Sequence, residues 1–178
     1  MRQWAETGPD VADLYDDDPD MDVPMWRALD LQRAYAYRDR VVIATLLSEL
    51  NETQLAHACT VLIGNYNDDL RGLSRLLRTD VSARALLREV DHAAALAPAE
   101  HEFAVTTAVR DVAHARTDMT TALAALDTVA RAHLLASYIT AMNISAASRA
   151  KYQRRLQTTV EITELMGKPR PYPPPLST

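Results

Sequence analysis

The sequence contains two acid–histidine pairs whose spacing is suitable for binding a metal ion. They are Glu89 with His92 and Asp111 with His114. On a helix this spacing puts both side chains of a pair on one face, as in four-helix di-iron sites. Such a site also needs inward-facing carboxylates from two further helices, whereas the apolar pattern around Asp111 places this pair on the outer side of its helix. We therefore predict solvated helix faces with no metal and no other cofactor.

The sequence lacks the short motifs that mark common catalytic sites. It has no G-x-S-x-G elbow, no glycine-rich phosphate loop and no H-E-x-x-H, and it contains only 4 Gly for loops that approach a phosphate closely. The single cysteine, Cys59, lies in the apolar run LAHACTVLI, which predicts a buried and inert thiol. His133 lies beside an apolar helix face, which predicts a hydrogen-bonded core histidine. We assign no catalytic residue and expect a protein that is not an enzyme.

The stretch MNISAASRAKYQRR, residues 142 to 155, has features of a DNA-reading helix-turn-helix. Asn143, Ile144 and Ser145 are of the residue types found in the turn of such a motif, and Ser145 would cap the second helix. Four basic residues of that second helix are candidates for contacts with phosphates, guanine edges or an acidic partner. They are Arg149, Lys151, Arg154 and Arg155.

Two positions disagree with the helix-turn-helix pattern. Ile139 stands where the crossing of the two helices favours Ala or Gly, and Arg149 stands where a recognition helix buries an aliphatic side chain. Two hypotheses therefore remain open for residues 135 to 156. The stretch is either a degenerate helix-turn-helix or a basic helix face that recruits an acidic partner, including the acidic N-terminal segment of this chain.

The composition indicates an all-α fold. A chain of 178 residues is long enough to bury one core, and 6% aromatic residues with few glycines disfavour a β-sandwich or barrel. No apolar run reaches the roughly eighteen residues of a membrane span, and the acidic N-terminus lacks the core of a signal peptide. We expect a soluble cytoplasmic protein with no membrane association. The use of Arg in place of Lys indicates a source with a GC-rich genome, such as an actinobacterium or one of its phages.

The charges divide the chain into three parts. Residues 1 to 30 contain nine acidic and two basic residues, and residues 145 to 178 contain six basic and two acidic ones. We predict an acidic flexible arm at 1–23, a single-domain bundle of about five to seven helices at 24–166, and a proline-rich tail at 167–178.

Local signals predict where several helices begin and end. Residues 24–50 form one long helix or two that meet near Arg38. Asn51 and Gln54 form a capping box for the next helix, which Gly64 and the NYNDD cluster end. Asp80 caps a further helix, and Pro98 begins another whose first turn is acidic.

Apolar residues recur at alternating spacings of four and three between positions 105 and 130, in a heptad-like seam. A break at Thr117 and Asp118 divides this seam into two helices. Its side chains either form an ordinary core face or pack against a second copy of the chain. The candidate helix–helix interface consists of Val105, Val109, Val112, Met119, Leu123 and Leu126.

These observations favour a non-enzymatic helical interaction protein, such as an adaptor, regulator or assembly subunit. It would act through a protein partner or through self-association. One alternative is a DNA-binding regulator that uses residues 135 to 156. The other is a helical metalloenzyme, which the missing ligands disfavour.

Overall fold

The structure, a computed structural model, describes residues 21–76 and 83–173 of the chain. Within these ranges it is all-helical and contains no strand, as the composition predicts. The described residues form eight helices: α1 (Asp22–Tyr37), α2 (Arg40–Thr45), α3 (Glu52–Leu76), α4 (Ala83–Ala94), α5 (Ala99–Ala113), α6 (Met119–Ala124), α7 (Thr128–Ala146) and α8 (Arg149–Leu165).

The predicted number of five to seven helices is too low, because α2 and α6 are separate helices of only six residues each. Helix α1 begins at Asp22, so the last two residues of the predicted arm belong to the bundle. The rest of the arm before residue 21, the predicted cap at Asp80 and the last five residues of the tail lie outside the described residues.

The break between α1 and α2 lies at Arg38, where the sequence predicts that two helices meet. Arg38 has a φ of 60°, in the left-handed region, and its N–H donates to the carbonyls of Ala34 and Tyr35. The carboxylate of Asp39 then accepts a hydrogen bond from the N–H of Val42 at 3.1 Å and caps α2. A new helix with its own N-cap, α2, therefore begins directly after α1 ends.

The predicted capping box at the start of α3 is confirmed. The N–H of Asn51 donates to Oε1 of Gln54 at 3.2 Å, and the N–H of Gln54 donates to Oδ1 of Asn51 at 2.9 Å. The predicted end of this helix near Gly64 is wrong, because α3 continues to Leu76. Packing against α7 stabilises the continuation, since the ring of Tyr66 meets that of Tyr138 edge-on at 6.2 Å.

Pro98 is the N-cap residue of α5, which begins at Ala99, one residue after the predicted start. The Pro98 carbonyl accepts hydrogen bonds from the N–H groups of His101 and Glu102, each at 2.8 Å. Glu100 and Glu102 lie in the first turn, where the helix dipole favours negative charge.

Two breaks divide the heptad-like seam into three helices. The predicted break is confirmed at Asp118, whose carboxylate caps α6 by accepting from the N–H of Thr121 at 2.8 Å. A second break was not predicted, and it lies at Asp127, which caps α7 by accepting from the N–H of Ala130 at 2.8 Å. A single continuous seam is excluded, because each capping aspartate begins a new helix.

Helix α7 is the central element of the described structure. It packs against α1, α3, α4, α5 and α8. Every residue from 132 to 143 is buried, as expected of a helix that is covered on all sides. Helix α7 therefore holds these five helices together, while α2 packs on α1 and α6 packs on α5.

Candidate functional site

The turn between α7 and α8 lies three residues after the predicted position. Helix α7 passes through Asn143 and Ser145 and ends at Ala146. Ser148 caps α8, and its hydroxyl accepts from the N–H of Lys151 at 3.3 Å. The prediction that Ser145 is the cap is therefore wrong.

Asn143 continues α7 because its side chain bonds within the helix and to two neighbouring helices. Its Nδ2 donates to the carbonyl of Ile139 at 2.9 Å and to Oδ2 of Asp69 on α3 at 2.6 Å. Arg155 of α8 donates to Oδ1 of Asn143 at 2.8 Å and lies 3.6 Å from the carboxylate of Asp69. Arg155 thus joins three helices by intramolecular bonds.

Arg149 also bonds within the protein. Its guanidinium donates to the carbonyl of Ala36 at 3.1 Å and pairs with Glu89 of α4 at 3.2 Å. The Ala36 carbonyl, at the end of α1, accepts a second bond from Gln153 at 3.0 Å. Desolvation by burial, with repulsion from Arg38, lowers the pKa of Arg149. The first residue of α8 therefore ties this helix to α1 and α4.

Lys151 and Arg154 differ from the other two candidate bases. Both are exposed, and neither forms an ion pair with any residue that the structure describes. Of the four candidate contact residues, two support the packing of α8 and two present free positive charge to solvent.

Lys151 and Arg154 share one side of α8 with exposed apolar residues. At 3.6 residues per turn, positions 151, 154, 158, 162 and 165 lie within one stripe. This stripe is opposite the buried side chains of α8, which are Tyr152, Leu156 and Val160. Ile162 is 50% exposed and Leu165 is 86% exposed. We name the stripe the outward face of α8; it consists of Lys151, Arg154, Thr158, Ile162 and Leu165.

The seam residues pack within the bundle, two of them buried and four partly buried. Val105 and Val109 are buried, and the remaining four pack against the same hydrophobic cluster between α4, α5, α6 and α7. Because these contacts are made within one chain, Val105 and Val109 are not accessible to a second copy. The four partly buried members are Val112, Met119, Leu123 and Leu126.

The two acid–histidine pairs are not brought together. Glu89 pairs with Arg149, and Asp111 pairs with Arg116 at 3.2 Å. His92 and His114 are exposed. In residues 21–76 and 83–173, no group of three or more histidine, cysteine or acidic side chains is placed to hold a metal ion.

His133 is buried and hydrogen-bonded, as predicted. Its Nδ1 lies 3.0 Å from the hydroxyl of Tyr35, and its ring stacks on that of His101. Burial, followed by repulsion from His101, lowers the pKa of His133 to about 3, and the attraction of Asp127 acts in the opposite direction. The ring is therefore neutral near pH 7. The Tyr35 partner was not predicted, because the two residues are 98 positions apart in the chain.

The sequence also gave no sign of a polar cluster between the C-terminal tail and α1. Arg170 pairs with Asp30, and the hydroxyl of Tyr172 donates to the same carboxylate oxygen at 3.1 Å. The Arg170 guanidinium lies 4.5 Å from the ring centroid of Trp26, which is fully buried. The tail therefore packs on α1 as far as Tyr172.

No protein-family model matches this sequence, and no curated protein and no solved structure is significantly similar to it. Among the helices of the described part, none is both long and apolar enough to cross a membrane.

Proposed function

We propose that this protein is a non-enzymatic interaction protein that binds a partner protein through the outward face of α8. The observation that carries this proposal is the combination of two free cations with two exposed aliphatic side chains along one helix stripe. No residue in the described part of the chain forms an ion pair with Lys151 or Arg154, and Ile162 and Leu165 are at least half exposed, whereas the opposite side of α8 packs against α1 and α7. Exposed apolar residues next to unpaired charge are typical of a surface that a partner covers.

The face indicates the chemistry of the partner. From Lys151 to Leu165 it extends about 21 Å, at about 1.5 Å per helical residue. Its N-terminal part is basic, and its C-terminal part is apolar. An amphipathic helix with acidic residues at one end and aliphatic residues at the other would complement both parts.

The DNA-binding alternative depends on the same helix. Two of its four candidate contacts, Arg149 and Arg155, are bonded within the protein, so Lys151 and Arg154 are the two without an ion pair to any residue that the structure describes. Proteins that bind DNA tightly neutralise many phosphates at once. The structure of α8 therefore favours a protein partner, and binding of duplex DNA is tested as the alternative.

The test uses site-specific photo-crosslinking in extracts of the source organism. A benzophenone amino acid replaces Leu165 on the outward face or, as the matched control, exposed Asp91 on α4. We expect one acidic protein to be captured from position 165 and not from position 91. Mass spectrometry identifies both the protein and the crosslinked segment.

The paired substitution Lys151→Glu with Arg154→Glu should remove this capture, because it places negative charge opposite an acidic partner. Equal capture from positions 165 and 91, or capture that survives the substitution, would contradict the proposal. A second experiment measures the binding of duplex DNA by gel shift. Binding that weakens steeply with salt and is lost in the same variant would support the DNA-binding regulator instead.

A further inference from the structure

A shallow apolar groove lies between α3, α6 and α7, apart from the outward face of α8. Its volume is about 270 Å³. One wall is formed by α3, and the other is formed by the end of α6 and the first two turns of α7. The residues that line it are Ala56, Cys59, Thr60, Ile63, Leu123, Ala124, Thr128, Arg131 and Leu135.

The floor of the groove is uncharged. The thiol of Cys59 donates to the carbonyl of Thr128 at 3.2 Å. Burial raises the pKa of Cys59 to about 11, although nearby Arg131 lowers it in part, so the thiol stays protonated at neutral pH. Leu135 is buried beside it, and Ile63 is 43% exposed at the edge. The groove therefore offers apolar surface and no nucleophile.

Arg131 is the one charged residue among those that line the groove. Its Nε donates to the carbonyl of Leu126 at 2.8 Å, which fixes the guanidinium at the edge of the groove. It forms no ion pair with any residue in the described part of the chain. The acid closest to it in sequence, Asp127, instead caps α7 and faces His101 at 3.7 Å. The positive charge of Arg131 is therefore not neutralised by any residue in 21–76 or 83–173.

We propose that this groove binds a small aliphatic carboxylate. The carboxylate would pair with the terminal nitrogens of Arg131, whose planar fork suits two parallel hydrogen bonds. The alkyl chain would lie along Cys59, Ile63 and Leu123. Because the volume is below the ~300–1,000 Å³ of sites for drug-sized ligands, we expect a short chain on the order of six carbons.

The proposal is tested by titrating the full-length protein with butanoate, hexanoate and octanoate. Two-dimensional ¹H–¹³C NMR follows the methyl groups of Ile63, Leu123 and Leu135, with chloride added to keep the ionic strength constant. We expect saturable shifts confined to the groove. Affinity should rise about four-fold for each added methylene until the groove is full.

Hexanol and hexylammonium are the matched probes for the head group. We expect hexanol to bind at least ten-fold more weakly than hexanoate, because it cannot make a charge-assisted pair with Arg131. Hexylammonium should bind more weakly still, because it carries the same charge as Arg131. Equal affinities for all three compounds, or shifts that spread over the whole protein without saturating, would overturn the proposal.

Substitution of Arg131 distinguishes carboxylate binding that depends on this arginine from nonspecific binding to apolar surface. Arg131→Gln should remove the preference for hexanoate over hexanol and leave hexanol binding unchanged. Arg131→Lys should retain part of the preference and serves as a second variant if Arg131→Gln does not fold. Arg110→Gln, at an exposed arginine of α5, is the control and should bind hexanoate like the parent protein. A preference that survives Arg131→Gln would exclude the arginine as the carboxylate site.

Discussion

The hydroxyl of Tyr172 donates a hydrogen bond to Oδ2 of Asp30 at 3.1 Å, although the two residues are 142 positions apart. Asp30 is 1% exposed and also pairs with Arg170, whose side chain is 7% exposed. Arg27 stacks over the Tyr172 ring, with its guanidinium carbon 3.9 Å from the ring centroid. The first residues of the proline-rich tail therefore belong to the packed structure, and a buried ion pair attaches them to α1.

We predict that Asp30→Asn destabilises the protein by about 3 kcal/mol, because it leaves the charge of Arg170 buried without a counterion. Urea denaturation at pH 7 measures the change in the free energy of unfolding. Adding Arg170→Met should recover part of the loss, since both charges are then removed. Asp91→Asn, at an exposed position, is the control. If Asp30→Asn has an effect as small as that of Asp91→Asn, the ion pair does not hold the tail.

Substitutions of the basic residues of α8 should fall into two groups by their effect on the free energy of unfolding. We predict that Arg149→Ala lowers the free energy of unfolding by about 1–2 kcal/mol, since it removes bonds to the Ala36 carbonyl and to Glu89 and leaves a partly buried acid unpaired. Lys151→Ala and Arg154→Ala should each change it by no more than about 0.5 kcal/mol, as is usual at exposed positions. Thermal denaturation of the three variants makes the comparison. Equal effects would mean that Arg149 does not tie α8 to the bundle.

The features that were predicted correctly from sequence depend on contacts between close neighbours. The capping box of Asn51 and Gln54 is complete within four residues, and the break at Arg38 is followed directly by the cap at Asp39. Such signals act before any tertiary structure forms. They therefore indicate helix boundaries in a single sequence.

The wrong predictions concern positions where contacts distant in sequence override a local preference. Asn143 favours a turn by itself, but its side chain is held within α7 by Asp69 and Arg155. Gly64 weakens α3 locally, yet the helix continues because it packs along α7.

Two features were missed altogether. The pairing of Asp30 with Arg170 joins opposite ends of the chain, and no spacing rule connects such residues. The groove of Arg131 was missed for the same reason, because three helices form it.

His133 should make the stability of the protein depend on pH. Its pKa is about 3 in the folded state and about 6.5 in the unfolded chain, so between these values the unfolded chain binds a proton that the folded state excludes. We predict that this residue contributes a loss of about 1.4 kcal/mol of unfolding free energy for each pH unit below 6.5. Urea denaturation at pH 7, 6, 5 and 4 measures the slope.

In His133→Asn the slope should be shallower, because the amide cannot titrate and still presents a polar atom to Tyr35. The variant will also be less stable at pH 7, since Asn is smaller, but this loss is the same at every pH. His92→Asn, at an exposed histidine, should keep the parental slope. A parental slope in His133→Asn would show that other groups cause the acid sensitivity.

Gly64 in α3 and Gly167 at the end of α8 should respond in opposite directions to substitution by alanine. Gly64 lies within α3, and a Cβ built there meets no atom within 4 Å, so Gly64→Ala should stabilise the protein by about 0.5–1 kcal/mol. Gly167 follows α8 with a φ of 82°, and the N–H of Lys168 donates to the carbonyl of Thr163 in a Schellman motif. Gly167→Ala should therefore destabilise by about 1 kcal/mol, because alanine is strained in the left-handed region. The melting temperatures of the two variants test both signs, and a stabilising Gly167→Ala would show that α8 does not end in this conformation in solution.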